Sequence, residues 1–171
     1  RFFKQEQKAL AQAQRKFSKF PEKIWSEGKQ KSKLVVARVH ERIKNKREDF
    51  CHKASNGLIK KYDLIIHEAL DVKSMLEQKK WSKSISDASW GTLIDFLTYK
   101  AENAGKRTRS IDPRGTSQRC SQCGFVVKKD IYERIHDCPH CGFKTSRDHN
   151  SSLEILRLGM QPFEAEHKIA S

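Results

Sequence analysis

Two Cys-x-x-Cys pairs constrain the fold of this chain more than any other feature. A tight turn with two residues between thiolates directs both sulfurs at one ion, and a following glycine permits the backbone conformation that the turn needs. Four thiolates complete a tetrahedral shell with no open position, which is typical of structural zinc and not of catalytic zinc. The sequence therefore predicts a zinc ribbon. Its ligands are Cys120, Cys123, Cys138 and Cys141, with Gly124 and Gly142 after the two pairs.

The alternative interpretation of this pattern is four unrelated thiols. His136 and His140 lie beside the second pair as spare ligand candidates, but the four cysteines already fill the shell. The fifth cysteine, Cys51, stands in a helical pattern without ligand spacing, so we expect an ordinary buried thiol. The N-terminal segment lacks a secretory signal, and no apolar run reaches the length of a membrane span. These features predict a cytoplasmic protein, where thiols stay reduced, and no membrane partner.

The positive charge is concentrated near the N-terminus. Residues 1–61 contain 18 Lys and Arg against 6 Asp and Glu, which supplies +12 of the formal net charge of +14. A concentrated positive field attracts a polyanion, and nucleic acid is the commonest one in the cytosol. A solvated, lysine-rich helix surface is the alternative interpretation. The candidates for phosphate contact are Lys44, Lys46, Arg47, Lys60 and Lys61.

Apolar periodicity predicts two helices at the start of the chain. Leu10, Ala13, Phe17 and Phe20 form a narrow seam on a helix over residues 3–20, which Pro21 ends. A polar break follows at residues 26–33, and a second helix is predicted over 34–59. Its apolar stripe consists of Val36, Val39, Ile43, Phe50, Ala54 and Leu58. Together the helices predict an antiparallel hairpin with a basic outer face.

The rest of the chain predicts an α/β unit. Residues 62–67 (YDLIIH) have the pattern of a buried strand, residues 71–85 read as a loop, and Ser86 or Asp87 is expected to cap a helix that ends at Gly105. Residues 106–113 predict a second, unusually polar strand. A last helix is predicted over 148–158, with a polar tail after it. The fold class is therefore α/β with short strands.

Two carboxylates stand where metal chemistry is common. Glu68 follows the buried strand, and Asp148 opens the last helix. Such carboxylates can share Mg²⁺, as two-metal phosphodiester chemistry requires. Alternatively, Glu68 ends a strand in solvent and Asp148 only caps a helix. Asp63, Asp71 and Asp112 are weaker candidates, because turns and strand ends are enriched in Asp.

Several separate motifs in order resemble the OrfB/TnpB family. They are DLIIHEAL, SKSISDASWG, DPRGTSQRCSQCG, CPHCG and RDHNSSLEIL, and the N-terminal helices resemble that family as well. Members are transposon-encoded, RNA-guided DNA nucleases with a RuvC (RNase H-like) domain that a zinc ribbon interrupts. The resemblance implies DNA as a partner, a guide RNA as a further one, and a prokaryotic, nucleoid-associated location.

The resemblance also implies roles for single residues. Glu68 matches the second catalytic carboxylate and Asp148 the third, while the four cysteines match the zinc ligands. Arg147 and Asn150 flank the third carboxylate, where they orient it or contact the nucleic acid. The implied domains are a partial RuvC-like domain with its helical pair over 1–115, the zinc ribbon over 116–145, and the RuvC C-terminal helix and tail over 146–171.

The chain departs from the family pattern in ways that bear on activity. The first catalytic Asp and its strands are absent from these residues, and Ala69, Ser151 and Ser152 replace the usual residues around the carboxylates. A two-metal site without one carboxylate binds Mg²⁺ poorly, and a half sheet leaves an unpaired edge. We therefore expect the chain alone to be inactive as a nuclease, with a missing N-terminal segment or a second chain completing the sheet. There are three alternatives. The chain is a zinc-ribbon remnant or regulator that binds nucleic acid without cutting it, a decayed gene product, or a generic zinc-ribbon protein.

Overall fold

A computed structural model describes residues 2–77, 82–130 and 132–169. Its contacts divide the chain into two units, one formed by residues 1–62 and 71–105 and the other by residues 63–70 and 106–171. The three sequence segments named above stay a prediction. The elements in chain order are α1 (Phe2–Phe17), α2 (Glu27–Lys61), β1 (Leu64–Glu68), α3 (Val72–Glu77), α4 (Ser82–Ala88), α5 (Trp90–Asn103), β2 (Arg107–Ile111), β3 (Ile135–Asp137), β4 (Lys144–Ser146) and α6 (Arg147–Ile169).

The first unit is built on an antiparallel pair of helices, α1 and α2. Leu10 of α1 packs with Val39 and Ile43 of α2 in a buried apolar cluster. On the same interface the carboxylate of Glu6 accepts hydrogen bonds from Lys46 at 2.6 Å and from Arg42 at 3.3 Å. The predicted hairpin is therefore present, and its seam joins apolar packing with a charge cluster.

The predicted break before α2 is wrong. Ser26 caps the helix by accepting a hydrogen bond from the backbone N–H of Lys29 at 3.2 Å, and Glu27 pairs with Lys31 at 2.6 Å. A capping side chain and an ion pair one turn apart stabilise helix without any apolar stripe. Residues 27–33 are consequently the first two turns of α2.

The apolar stripe of α2 shifts by one residue in its second half. Cys51, Ser55 and Ile59 are the buried residues there, while Phe50 is exposed and lies beside the Phe2 ring. Ser55 is tolerated inside because its hydroxyl donates to the carbonyl of Cys51 and accepts from Lys100 of α5. A buried serine has no apolar signal, so periodicity alone placed the centre of the buried stripe one residue too early in this half of the helix.

The predicted loop over residues 71–85 is wrong at residues 72–77 and 82–85, which are helical, while residues 78–81 lie outside the described part of the chain. Asp71 begins α3 by accepting a hydrogen bond from the backbone N–H of Ser74, and α4 follows at Ser82. Asp87 lies inside α4, where its carboxylate accepts from Arg47 of α2 at 3.1 Å. The next helix, α5, begins only after Ser89, which adopts a left-handed backbone conformation with φ of 53°.

The second unit contains a two-stranded parallel sheet covered by α6. β1 and β2 pair in register from Leu64 with Arg107 to Glu68 with Ile111. The middle of α6 approaches the sheet closely at Gly159, where a Cβ atom would lie within 3.0 Å of three atoms of the Ile66 side chain. The carbonyl of Gly159 also accepts from Arg109 of β2 at 2.8 Å.

The cysteine-rich segment forms a small antiparallel pair, β3 and β4, and leads directly into α6. That helix runs from Arg147 to Ile169, so the predicted polar tail is helical to Ile169. Both predicted strands are present, and the mixed α/β class is confirmed. Among the residues that the structure describes, none forms a helix long and apolar enough to cross a bilayer.

Candidate functional site

Each Cys-x-x-Cys pair forms the same knuckle. The backbone N–H of Cys120 donates to the carbonyl of Phe125 at 2.8 Å, and that of Cys138 donates to the carbonyl of Phe143 at 3.0 Å. Gly124 and Gly142 have φ values of 76° and 73°, a region that residues with a side chain rarely adopt. Both glycines therefore adopt the backbone conformation that was expected of them from the sequence.

The two knuckles bring four sulfur atoms together. All four lie within 4.8 Å of one another, with 3.7 Å between the Sγ atoms of Cys120 and Cys141 and 3.6 Å between those of Cys123 and Cys138. A tetrahedron with Zn–S bonds of about 2.3 Å has sulfur–sulfur edges of about 3.8 Å. The four cysteines predicted as ligands thus form a group that could hold a metal ion such as zinc.

The thiols are electrostatically linked to one another. The backbone N–H of Phe125 lowers the pKa of Cys123, but burial and hydrogen bonds to the other three thiols outweigh it and raise that pKa to about 12. Burial raises the pKa of Cys138, but backbone donors at Cys141 and His140 and neighbouring thiols outweigh it and lower that pKa to about 7. A divalent ion that displaces these protons would relieve the competition for them.

Neither spare histidine belongs to the sulfur cluster. His136 is fully buried, and its Nδ1 atom contacts the ammonium of Lys129. Burial lowers the pKa of His136, and the Lys129 charge lowers it further, so its ring stays neutral at pH 7. His140 stacks on Phe125, with ring centroids 5.5 Å apart.

Glu68 ends β1, as expected, and is held by a residue that sequence reasoning missed. The hydroxyl of Thr116 donates to Oε1 of Glu68 at 2.6 Å, and Thr116 is only 3% exposed. Glu68 itself is half-buried. It therefore does not simply end a strand in solvent. A threonine before a cysteine pair carries no distinctive pattern, so nothing in the sequence pointed to this bond.

Asp148 lies in the first turn of α6 and keeps its carboxylate available. The cap of this helix is Ser146, whose hydroxyl accepts from the backbone N–H of His149 at 3.2 Å. The Asp148 side chain is 80% exposed, and Arg147 contacts it at 3.4 Å. Asp148 is therefore not the residue that caps this helix.

Asn150 joins α6 to the first knuckle. It is fully buried, accepts from the backbone N–H of Ser121 at 3.0 Å and donates to the carbonyl of Arg119 at 2.8 Å. Of its two implied roles, orienting the carboxylate region and contacting nucleic acid, these bonds favour the first.

Glu154, one turn after Asn150, is a second buried anchor that sequence reasoning missed. Its carboxylate accepts two hydrogen bonds from Arg157 at 2.7 and 2.8 Å, and Arg119 lies 3.4 Å away. The sequence feature that could have identified Glu154 is its position four residues after Asn150, which places both residues on one face of a helix.

The basic candidates differ in how accessible they are. Lys44, Lys60 and Lys61 are exposed, with Lys44 at 3.6 Å from Glu48. Lys46 and Arg47 are engaged with Glu6 and Asp87. Arg147 is 17% exposed and donates to the carbonyl of Glu133 as well as contacting Asp148. Their contacts with nucleic acid stay predictions.

Two protein-family models match the chain in succession. One, OrfB_IS605, is described as "Probable transposase" and matches residues 1–79. The other, described as "Cas12f1-like, TNB domain", matches residues 90–155 and so includes all four cysteines. The second match ends beyond Asp148 and Asn150, so the four cysteines and the start of α6 fall within the range of one family model.

Similar proteins occur in bacteria and in a giant virus. A Streptomyces pristinaespiralis protein provisionally named an RNA-guided DNA endonuclease is 36% identical over 153 residues, covering 88% of this chain and 37% of that protein. The TnpB-like protein L79 of Acanthamoeba polyphaga mimivirus is 28% identical, covering 81% of this chain and 28% of that protein. The CRISPR-associated endodeoxyribonuclease Cas12f1 of Sulfoacidibacillus thermotolerans is 29% identical, covering 75% of this chain and 31% of that protein. The chain therefore spans about a third of the length of these relatives.

A solved structure shares the fold. The cryo-EM structure of the Cas12f1–sgRNA–target DNA complex matches with a TM-score of 0.56 and 18% sequence identity, covering 70% of this chain and 36% of that chain. At this identity the likeness concerns the fold alone.

Proposed function

Since the chain belongs to the OrfB/TnpB family, we propose that its residues form part of a RuvC-type, RNA-guided DNA endonuclease that hydrolyses phosphodiester bonds with Mg²⁺. The observation that carries the proposal is the placement of two carboxylates in one compact unit. Glu68 ends β1, and Asp148 opens the helix that packs on that strand through Gly159 and Ile66. Both stand at the ends of elements, and we infer that their oxygen atoms serve as ligands of a shared ion.

The sulfur cluster has a structural role in this proposal. Four thiolates leave no position for water or substrate, so the zinc would stabilise the ribbon and take no part in hydrolysis. The ribbon in turn contacts α6 through Asn150, two residues after Asp148. Zinc thus supports the start of the helix that presents the carboxylate.

The carboxylates fit a divalent ion only in part. Glu68 and Asp148 offer oxygen atoms, the donors that Mg²⁺ prefers, but the four cysteines are the one group of three or more potential ligands found among the described residues. We infer that the third carboxylate comes from outside these 171 residues, in the same polypeptide or in a second chain that also extends the β1–β2 sheet. Mg²⁺ bound there would supply an activated water and stabilise the leaving oxygen.

Side chains of this chain contact both carboxylates of the proposed site. Thr116 fixes one oxygen of Glu68, and the Arg147 guanidinium lies 3.4 Å from the Asp148 carboxylate. The exposed Lys44, Lys60 and Lys61 would contact the phosphate backbone, which supplies affinity without sequence readout. The nucleic acids are target DNA and a guide RNA, by analogy with the complex named above.

A second candidate function is nucleic-acid binding without cleavage. The incomplete carboxylate set favours it, because a site with two ligands holds Mg²⁺ weakly. In that case the ribbon and the basic helices would act as a binding module.

The test uses the native protein, purified from its source cells with any bound RNA. We expect Mg²⁺-dependent cleavage of DNA that matches this RNA, and a loss of at least about 100-fold in Glu68→Ala and Asp148→Ala. Asp95→Ala, an exposed carboxylate on α5, is the matched control and should cleave normally. Binding of nucleic acid with no cleavage by the unmodified protein would instead establish the second candidate.

A further inference from the structure

Thr116 is a buried hydroxyl that faces two acceptors. Its Oγ1 atom lies 2.6 Å from Oε1 of Glu68 and 3.0 Å from the carbonyl oxygen of Pro113. A threonine has one hydroxyl proton to donate. The shorter contact, to an ionisable oxygen, is the stronger of the two.

The turn that carries Thr116 fixes the hydroxyl in place. Gly115 adopts a φ of 78°, and the backbone N–H groups of Gln118 and Arg119 donate to its carbonyl at 3.0 and 2.9 Å. Arg119 is the residue directly before Cys120, and its carbonyl is bound by Asn150. The segment from Thr116 to Cys120 is therefore held at both ends, one at Glu68 and one at the first knuckle.

The geometry leaves the other oxygen of Glu68 open. In the described part of the chain, the Glu68 carboxylate accepts one hydrogen bond, and Oε2 takes none. A cation that approached Oε1 instead would not strand the hydroxyl, because Thr116 can turn its proton to the carbonyl of Pro113. The hydroxyl is thus satisfied with or without an ion on Glu68.

We propose that Thr116 is a positioning residue that holds the Glu68 carboxylate in one rotamer and presents it to a divalent cation. The proposal rests on the function proposed above, in which Glu68 is a metal ligand. It adds a residue from the ribbon segment to the carboxylate site. Partners of this kind typically change metal affinity about 10- to 100-fold when they are removed.

The test compares Thr116→Val, which keeps the shape but lacks the hydroxyl, with Thr116→Ser, which keeps the hydroxyl. Thr98→Val is the matched control, because among the described residues the Thr98 hydroxyl bonds to the carbonyl of Ile94 within α5, far from Glu68 in sequence. Three-bond NMR couplings on the zinc-loaded chain first report the Glu68 side-chain rotamer without other metals. A titration with Mn²⁺ alone then reports line broadening at residues 66–70.

We expect one Glu68 rotamer in the unmodified chain, Thr116→Ser and Thr98→Val, and averaged rotamers in Thr116→Val. Thr116→Val should need about 10-fold more Mn²⁺ for the same broadening. An unchanged Glu68 rotamer and unchanged Mn²⁺ response in Thr116→Val would overturn the positioning role. Mn²⁺ broadening that persists in Glu68→Gln would instead refute the metal-ligand role of Glu68, and with it the proposed function.

Discussion

At the scale of single residues, Asn150 connects α6 to the backbone around the first knuckle. Both ends of its carboxamide bond to the backbone of the first knuckle, and the side chain is fully buried. Replacing it leaves a backbone N–H and a carbonyl without partners inside the protein, which costs about 1–3 kcal/mol for each buried group.

We therefore predict that Asn150→Ala lowers the free energy of unfolding of the zinc-loaded chain by about 2–4 kcal/mol. Chemical denaturation followed by circular dichroism measures this. Asn56→Ala, an exposed asparagine on α2, is the control and should stay within about 0.5 kcal/mol of the unmodified chain. Equal stabilities of the two variants would contradict the anchoring role.

Glu6, in the first unit, has a pKa that is lowered by its ion-pair partners. The hydrogen bond from Lys46 holds the pKa of Glu6 below its usual value of 4.5, against the opposing effect of burial, and Arg42 adds to the lowering. A lowered pKa stabilises the fold above the unfolded-state value and loses that effect as the pH falls through the folded-state value.

The α1–α2 pair should therefore lose stability as the pH falls below about 4.5. Glu6→Gln should remove this part of the pH dependence, because glutamine does not titrate. Thermal unfolding between pH 3 and pH 7 measures it, and Glu22→Gln, an exposed glutamate, serves as the control. Parallel pH curves for Glu6→Gln and the unmodified chain would refute the assignment.

At the scale of elements, two glycines in helices have opposite surroundings. A Cβ atom on Gly159 of α6 would overlap the Ile66 side chain of β1, whereas one on Gly57 of α2 would meet nothing within 4 Å. Alanine is intrinsically better than glycine in a helix by about 0.5–1 kcal/mol. The packing at each position therefore decides whether replacing glycine with alanine raises or lowers the free energy of unfolding.

We predict that Gly159→Ala destabilises the chain by about 1–3 kcal/mol, because α6 must shift from β1, and that Gly57→Ala stabilises it by up to about 1 kcal/mol. Thermal melts of the two variants give the comparison directly. Stabilisation by both substitutions would mean that α6 does not approach the sheet as closely as described.

The ribbon is the element that depends on metal. Its two short strands bury few apolar side chains, so ion binding must supply most of its folding free energy.

Cys138→Ser should abolish the binding of about one zinc ion per chain and accelerate amide exchange over residues 120–146. Cys51→Ser, which changes a cysteine outside the cluster, should keep the zinc content measured by atomic emission. Unaltered zinc content in Cys138→Ser would contradict the four-thiolate site.

At the scale of the whole molecule, the proposed site sets an expectation for these 171 residues alone. In that proposal Glu68 and Asp148 would be two of three carboxylate ligands. We predict that the isolated chain, loaded with zinc and supplied with Mg²⁺, cleaves DNA no faster than its Glu68→Ala variant. A gel assay on plasmid DNA measures this. Mg²⁺-dependent cleavage abolished by Glu68→Ala would show that the chain is sufficient.

The features that sequence determined are local ones. The cysteine spacing with its two glycines gave the knuckles, because turn geometry depends on a few consecutive residues. The apolar run at β1 and the periodicity of α1 likewise placed a strand and a helix close to their observed bounds. Glu68 was expected at a strand end and lies there.

Tertiary structure decided what depends on partners far along the chain. Ser55 is buried because Lys100 and its own helix satisfy its hydroxyl, and Asp87 lies within α4, paired with Arg47, 40 residues away. Thr116 meets Glu68 across 48 residues of sequence, through a turn and a strand that no periodicity connects. Polar contacts of this kind have no repeating pattern, because each arises where folding brings two particular side chains together. The cysteines could therefore be assigned from sequence, whereas the side chains that hold Glu68 and the helix of Asp148 in place could be found only in the folded chain.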